Sequence, residues 1–131
     1  MKSFAFLVLA YNHELFIIDH LESIKFQILT YGKGLEIDLI INDDCSKDKT
    51  IEYIDSWLKL NNQLFRHIGK FFNSKNIGTA KSSSQMISSL KTDMFKLTAG
   101  DDLYSCENIF EAANLFDDKT AFVSGFPLYL K

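Results

Sequence analysis

The chain has 131 residues, is 47% hydrophobic and carries a formal net charge of −3. That length is one domain or part of one, and the apolar content excludes a disordered chain. Mixed charge with a slight acidic excess argues against a nucleic-acid partner, which needs a basic face.

Cys45 and Cys106 offer neither a CxxC pair nor zinc spacing, so they read as reduced thiols of a cytosolic protein. The opening MKSFAFLVLA resembles a short signal peptide in outline. It is also the right length for a buried strand, and YNHE follows it with helix-start character. The strand reading is preferred, over Ser3–Ala10. A helix is predicted over Glu14–Thr30, where Ile17, Leu21, Ile24 and Ile28 form one apolar stripe and Gly32 and Gly34 mark the end. Leu35–Asn42 is the second strand. Asp48 is placed to cap a helix running from Lys49 to Leu60, with Ile51, Ile54, Leu58 and Trp57 inward. Phe65–Ile68 is a short third strand, and Asn76–Gly78 opens a helix to Leu90. Met94–Thr98 is a fourth strand, Asn108–Phe116 a helix and Ala121–Gly125 a fifth strand. No segment is long enough to span a membrane.

This alternation predicts an α/β fold: a mostly parallel, Rossmann-like sheet with helices on both faces. Ligands in such folds bind beyond the carboxyl ends of the strands. Four groups of residues stand at those ends: Tyr11, Asn12 and His13; Asp43, Asp44 and Ser46; Asn76, Gly78 and Lys81; and Asp101 with Asp102.

Tyr11 can stack on a flat base. A carboxylate can accept a pyrimidine imide N–H or the hydroxyls of a ribose, and a carboxylate pair can hold a divalent cation. A helix starting at Gly78, with Lys81 one turn in, favours negative charge. Together these point to a nucleotide-diphosphate site with a divalent metal. Each residue also has a plainer reading: Tyr11 as core, Asp43 as a turn residue, Ser46 and Asp48 as helix-start groups, and Asn76 with Gly78 as a turn and cap. His13, His20 and His67 read as surface or local hydrogen-bonding residues. Like charges about 4 Å apart repel by roughly 4 kcal/mol at an effective dielectric of about 20, an upper bound for neighbours whose side chains can point apart.

LVLAYNHE, IINDDCSKDKT, NIG and TAGDDLY together resemble the nucleotide-binding half of a family 2 glycosyltransferase with the GT-A fold, from Phe4 to about Val123. The resemblance implies that Tyr11 lies against the base of a sugar nucleotide and that Asp44 accepts a hydrogen bond from the base, uracil being favoured. It implies that Asp101 lies near the ribose and metal, and that Asp102 ligates Mg²⁺ or Mn²⁺ at the diphosphate. Asp43 stays without an assigned role within the substrate-binding group. Two departures from the family pattern stand out. Ala99 occupies the place of a first acid, and KSSSQ follows NIG where the family often carries Arg, leaving Lys81 as the nearby cation.

The implied reaction is inverting, metal-dependent transfer of a sugar from a nucleotide-diphosphate donor to an acceptor hydroxyl, in surface polysaccharide or glycan synthesis. The acceptor would be a glycan or a lipid-linked one, and membrane association would come only through missing regions. The expected location is the cytoplasm, or peripheral at the inner face of the membrane. Glu107, Glu111, Asp117 and Asp118 read as a solvated face, so the catalytic base is unidentified. Residues 1–131 are expected to be a donor-binding domain truncated before an acceptor-binding half. Two rivals are a receiver domain, which needs acids after the first strand where Ala10, Tyr11 and Asn12 stand, and a non-catalytic nucleotide-binding or scaffolding module.

Overall fold

A computed structural model describes residues 3–111. The predicted strand at Ala121–Gly125, most of the predicted helix Asn108–Phe116, and Asp117 and Asp118 lie outside the described residues. Among the described residues four strands form a single parallel sheet: β1 (Ser3–Ala10), β2 (Glu36–Asp43), β3 (His67–Phe72) and β4 (Met94–Ala99), in the spatial order β3-β2-β1-β4. Helices α1 (Ile17–Tyr31), α2 (Thr50–Asn61) and α3 (Thr79–Ser88) connect them in turn.

The chain builds outward from β1 to β3, then crosses back to lay β4 on the other side of β1. Crossovers of one hand therefore put α1 and α2 on one face and α3 on the other. Side-chain alternation along the strands matches this division. Phe4, Phe6, Val8, Ala10, Ile37, Leu39 and Ile41 pack with Ile17, Leu21, Ile24, Ile54 and Trp57, while Ala5, Leu7 and Ile40 pack with Met86. Ile17, Leu21 and Ile24 are completely buried, as the apolar stripe predicts, and each contributes about 1.5–3 kcal/mol of burial.

Several boundaries shift by one or two residues from the sequence prediction, and three elements differ further. α1 begins at Ile17, because His13–Phe16 forms a turn and Glu14 is drawn away to accept from the Lys49 N–H at 3.1 Å. β3 runs to Phe72 rather than ending at Ile68. As an edge strand among the described residues it tolerates Gly69, which lies opposite Ile40, and the half-exposed Lys70. At Asn108–Phe116, the described part is one 3-10 turn over 109–111.

The register brings the strand exits to one rim. Ala10 lies opposite Asp43, Asp43 opposite Phe72, and Leu9 opposite Ala99. The crossing back between β1 and β4 is the topological switch point, where open α/β sheets leave a crevice.

Candidate functional site at the strand exits

Asp43 and Asp44 are neighbours, yet the pleat of β2 sends their side chains to opposite sides. Asp43 is fully buried and turns toward the α2 side, accepting from both the Ser46 N–H and the Ser46 hydroxyl. This is the turn role that the sequence left open, and the repulsion anticipated for the pair is averted by geometry. Asp44 turns toward α3. Its Oδ1 accepts from Ile77 N–H at 2.8 Å and Asn73 Nδ2 at 3.0 Å, and its Oδ2 from Gly78 N–H at 2.9 Å. Burial pushes the Asp44 carboxyl up, but the bonds from Ile77, Asn73 and Gly78 outweigh it and hold it below the ordinary carboxylate range.

Asp44 is thus the clasp that closes the Asn76–Gly78 loop. A carboxylate has about four acceptor positions, and these three bonds leave one. Gly78 has φ +88° and ψ 163°, a conformation open essentially to glycine alone. Beyond it Asn76 and Lys81 are exposed, and Lys81 forms no ion pair among the described residues.

The loops after β1 and β2 are stitched together. Asn12 N–H donates to Ser46 Oγ, Asn12 Oδ1 accepts from Lys47 N–H, and His13 N–H donates to Thr50 Oγ1. Asn12 and Cys45 both take positive φ, 52° and 67°, to form this junction. Asp48 does not cap α2 in the predicted way: Lys49 occupies the cap position without a side-chain bond. Asp48 instead accepts from Thr50 N–H and Oγ1 and from Glu14 N–H. Burial raises its pKa, yet these bonds bring it below the usual range. The stitched base leaves Tyr11 43% exposed at the rim, not in the core.

The acidic loop after β4 lies beside this junction. Gly100 N–H donates to Leu9 O at 2.7 Å, and Asp102 N–H returns to Ala99 O at 3.1 Å. A Cβ on Gly100 would stand 2.8 Å from Ile17 Cδ1 and 3.0 Å from His13 Nδ1, so glycine is what lets the loop approach α1. Asp101 and Asp102 are both exposed, and Asp101 Oδ2 lies 3.8 Å from His13 Nε2. Asp102 Oδ2 has one long contact, 3.4 Å from Ala99 N–H.

Among the described residues no three His, Cys, Asp or Glu side chains gather to hold a metal ion unaided. Two exposed carboxylates nonetheless suit Mg²⁺ or Mn²⁺, hard cations that commonly take one or two carboxylates and complete their shell with substrate phosphates and water.

A row of polar side chains on α1 was not anticipated as part of the site. His20 was expected at the surface or in local bonding; it is completely buried, with Nδ1 2.7 Å from Asp102 O and Nε2 3.2 Å from Thr98 Oγ1. Burial holds its pKa below the ordinary value, against the raising influence of the Asp102 carbonyl and of the charges on Asp102 and Asp101. Ser23 Oγ accepts from Tyr104 N–H, and Gln27 bonds Ser105 O, Glu107 O and Ile109 N–H. Tyr31 donates to Cys106 O. The signal was in the sequence: His20, Ser23, Gln27 and Tyr31 recur at helical spacing beside the apolar stripe.

The parallel sheet with helices on both faces and a reversal of strand order between β1 and β4 defines a doubly wound α/β fold. Residues 5–129 match the family described as glycosyl transferase family 2, and the chain belongs to it. No curated protein matches the chain as a relative. Among solved structures, S. aureus TarS 1–349 in complex with UDP is similar over 87% of this chain and 31% of its own, at 23% identity and TM-score 0.69. The mannosyltransferase PcManGT from Pyrobaculum calidifontis, in complex with GDP-Man and Mn²⁺, is similar over 89% of this chain and 33% of its own, at 19% identity and TM-score 0.76. The fold is GT-A, and the chain spans about a third of the length of these two proteins. No helix among the described residues is long and apolar enough to cross a membrane.

Proposed function

We propose that this chain forms the donor-binding part of an inverting, metal-dependent glycosyltransferase. It would take a nucleotide-diphosphate sugar and present it to the hydroxyl of a glycan or lipid-linked acceptor in surface-glycan synthesis. The observation that carries this reading is the shared rim: the exposed Tyr11 ring, the Asp44-clasped loop before α3, and the exposed Asp101–Asp102 pair stand at the exits of strands in parallel register. Membership of the family and the UDP, GDP-Man and Mn²⁺ complexes of the two similar structures support it.

In this reading Tyr11 stacks on the base and the remaining acceptor position of Asp44 takes a base imide N–H, with UDP the favoured carrier. Asn76, Gly78 and Lys81 face the diphosphate, the start of α3 and the lysine both favouring negative charge. Asp43 supports the pocket through Ser46. Asp101 serves the ribose and metal, and Asp102 is the principal ligand of Mg²⁺ or Mn²⁺. A divalent cation bound there offsets the charge that develops on the departing nucleoside diphosphate. No residue of the described rim is assigned as the general base; Glu107 and Glu111 are exposed beyond the acidic loop.

The test is thermal unfolding with UDP, GDP, CDP and TDP, each with and without Mn²⁺. A ligand at about 100 times its dissociation constant adds about 2.7 kcal/mol, a rise of several degrees. One nucleotide with metal is expected to raise the midpoint most. No shift with any of them would refute the donor-site reading and favour the non-catalytic scaffolding module.

A further inference from the structure

We propose that His20 is a positioning residue for the acidic loop: it holds the main-chain carbonyl of Asp102 and thereby sets where the Asp101 and Asp102 carboxylates stand for a divalent cation. This rests on the donor-site reading and adds to it a residue of α1 that touches neither nucleotide nor metal.

The bonding fixes the state of the ring. A main-chain carbonyl can only accept, so the 2.7 Å contact from Nδ1 to Asp102 O requires the proton on Nδ1. The neutral ring then has Nε2 as its acceptor, and Thr98 Oγ1 donates to it at 3.2 Å. Thr98 precedes the GDD turn and Asp102 completes it, so one imidazole grips the loop on both sides. Tyr104 stacks on the ring with centroids 5.8 Å apart and planes at 29°, which fixes its tilt. The same stretch is held from β1 by the Gly100 N–H bond to Leu9 O.

The neighbours on the buried face, Leu21 and Ile24, show that an apolar residue would serve for packing alone. A buried imidazole costs desolvation unless its nitrogens are bonded, and both of its partners lie in or beside the acidic loop. The arrangement corresponds to the outer-shell hydrogen bonds that orient metal-ligand groups, whose loss typically costs about 10- to 100-fold in metal affinity.

Two variants separate positioning from packing. His20→Phe keeps a ring against Tyr104 and removes both hydrogen bonds; His20→Asn restores an amide N–H near the place of Nδ1. UDP and GDP are each titrated calorimetrically, with and without Mn²⁺. The Phe variant is expected to lose about 10- to 100-fold in the metal-dependent affinity with metal-free nucleotide binding unchanged, and the Asn variant to recover most of that loss. Unchanged metal-dependent binding in His20→Phe would overturn the inference, as would an equal loss with and without metal, the mark of a merely structural role. A wild-type chain that binds neither nucleotide in a metal-dependent way would instead refute the donor-site reading, and the inference with it. Nitrogen-15 spectra of the wild-type imidazole decide independently, even if His20→Phe does not fold. They should show the proton on Nδ1; a proton on Nε2 would overturn the inference and leave the donor-site reading intact.

Discussion

The two acidic pairs on the rim look alike in sequence and differ in almost every physical respect. Asp43 and Asp44 are buried, diverge to opposite faces of the sheet and are occupied by internal donors. Asp101 and Asp102 are exposed, and among the described residues their side chains have one polar contact each, at 3.8 and 3.4 Å. The first pair organises the loops that lead into α2 and α3. The second is itself held, through the Gly100 N–H bond to Leu9 O and the His20 bond to Asp102 O, and its carboxylates face solvent. Adjacent carboxylates at a strand end are therefore not one kind of feature; what matters is whether nearby backbone N–H groups already use them.

That contrast gives substitutions a ranked set of outcomes. Asp44→Ala should have the largest effect on stability, about 3 kcal/mol, because it strips partners from two backbone N–H groups and Asn73. The check is a lowered urea midpoint at unchanged slope. Asp102→Ala should change stability by less than about 0.5 kcal/mol, since its side chain is exposed and barely bonded. Similar losses at both positions would erase the distinction between the pairs.

Gly100→Ala should cost about 1–3 kcal/mol, because the added methyl meets Ile17 and His13, and should also weaken metal-dependent nucleotide binding by displacing the acidic loop. Acid should act through the first pair's side of the rim. Asp44 and Asp48 have folded pKa values below the unfolded 3.8, so as pH falls the unfolded chain takes up these protons first. Their contribution is intact above about pH 5 and is lost as pH drops through 3.8 toward the folded values. Urea midpoints measured across that range should fall less steeply in Asp44→Asn. A small effect of opposite sign belongs to Cys45→Gly. It relieves a left-handed residue at φ 67° and should raise stability by less than about 1 kcal/mol.

Much of the fold was legible because its signals are periodic. The buried run of β1, the α1 stripe and the order of elements follow from residue spacing. The β3 extension was hidden because an edge strand can carry Gly69 and Lys70, residues that read as breaks when pairing is unknown. The rim residues were legible as chemistry but not as contacts. IINDDCSKDKT allows Asp43 as a turn residue but does not reveal that Asp44 reaches Gly78, because that bond depends on which face of the sheet the side chain takes. His20 was overlooked for a similar reason: its partners, Thr98 and Asp102, are distant in sequence and meet it only once β4 lies beside β1.

The most direct test of the division between the two pairs is the capture of Mn²⁺ in the presence of the nucleoside diphosphate that stabilises the chain best. Free Mn²⁺ would be counted by electron paramagnetic resonance for the wild type, Asp43→Asn and Asp102→Asn. Nucleotide-dependent capture should persist in Asp43→Asn and disappear in Asp102→Asn. Capture that survives in Asp102→Asn and is lost in Asp43→Asn would put the cation at the end of β2 and contradict the account.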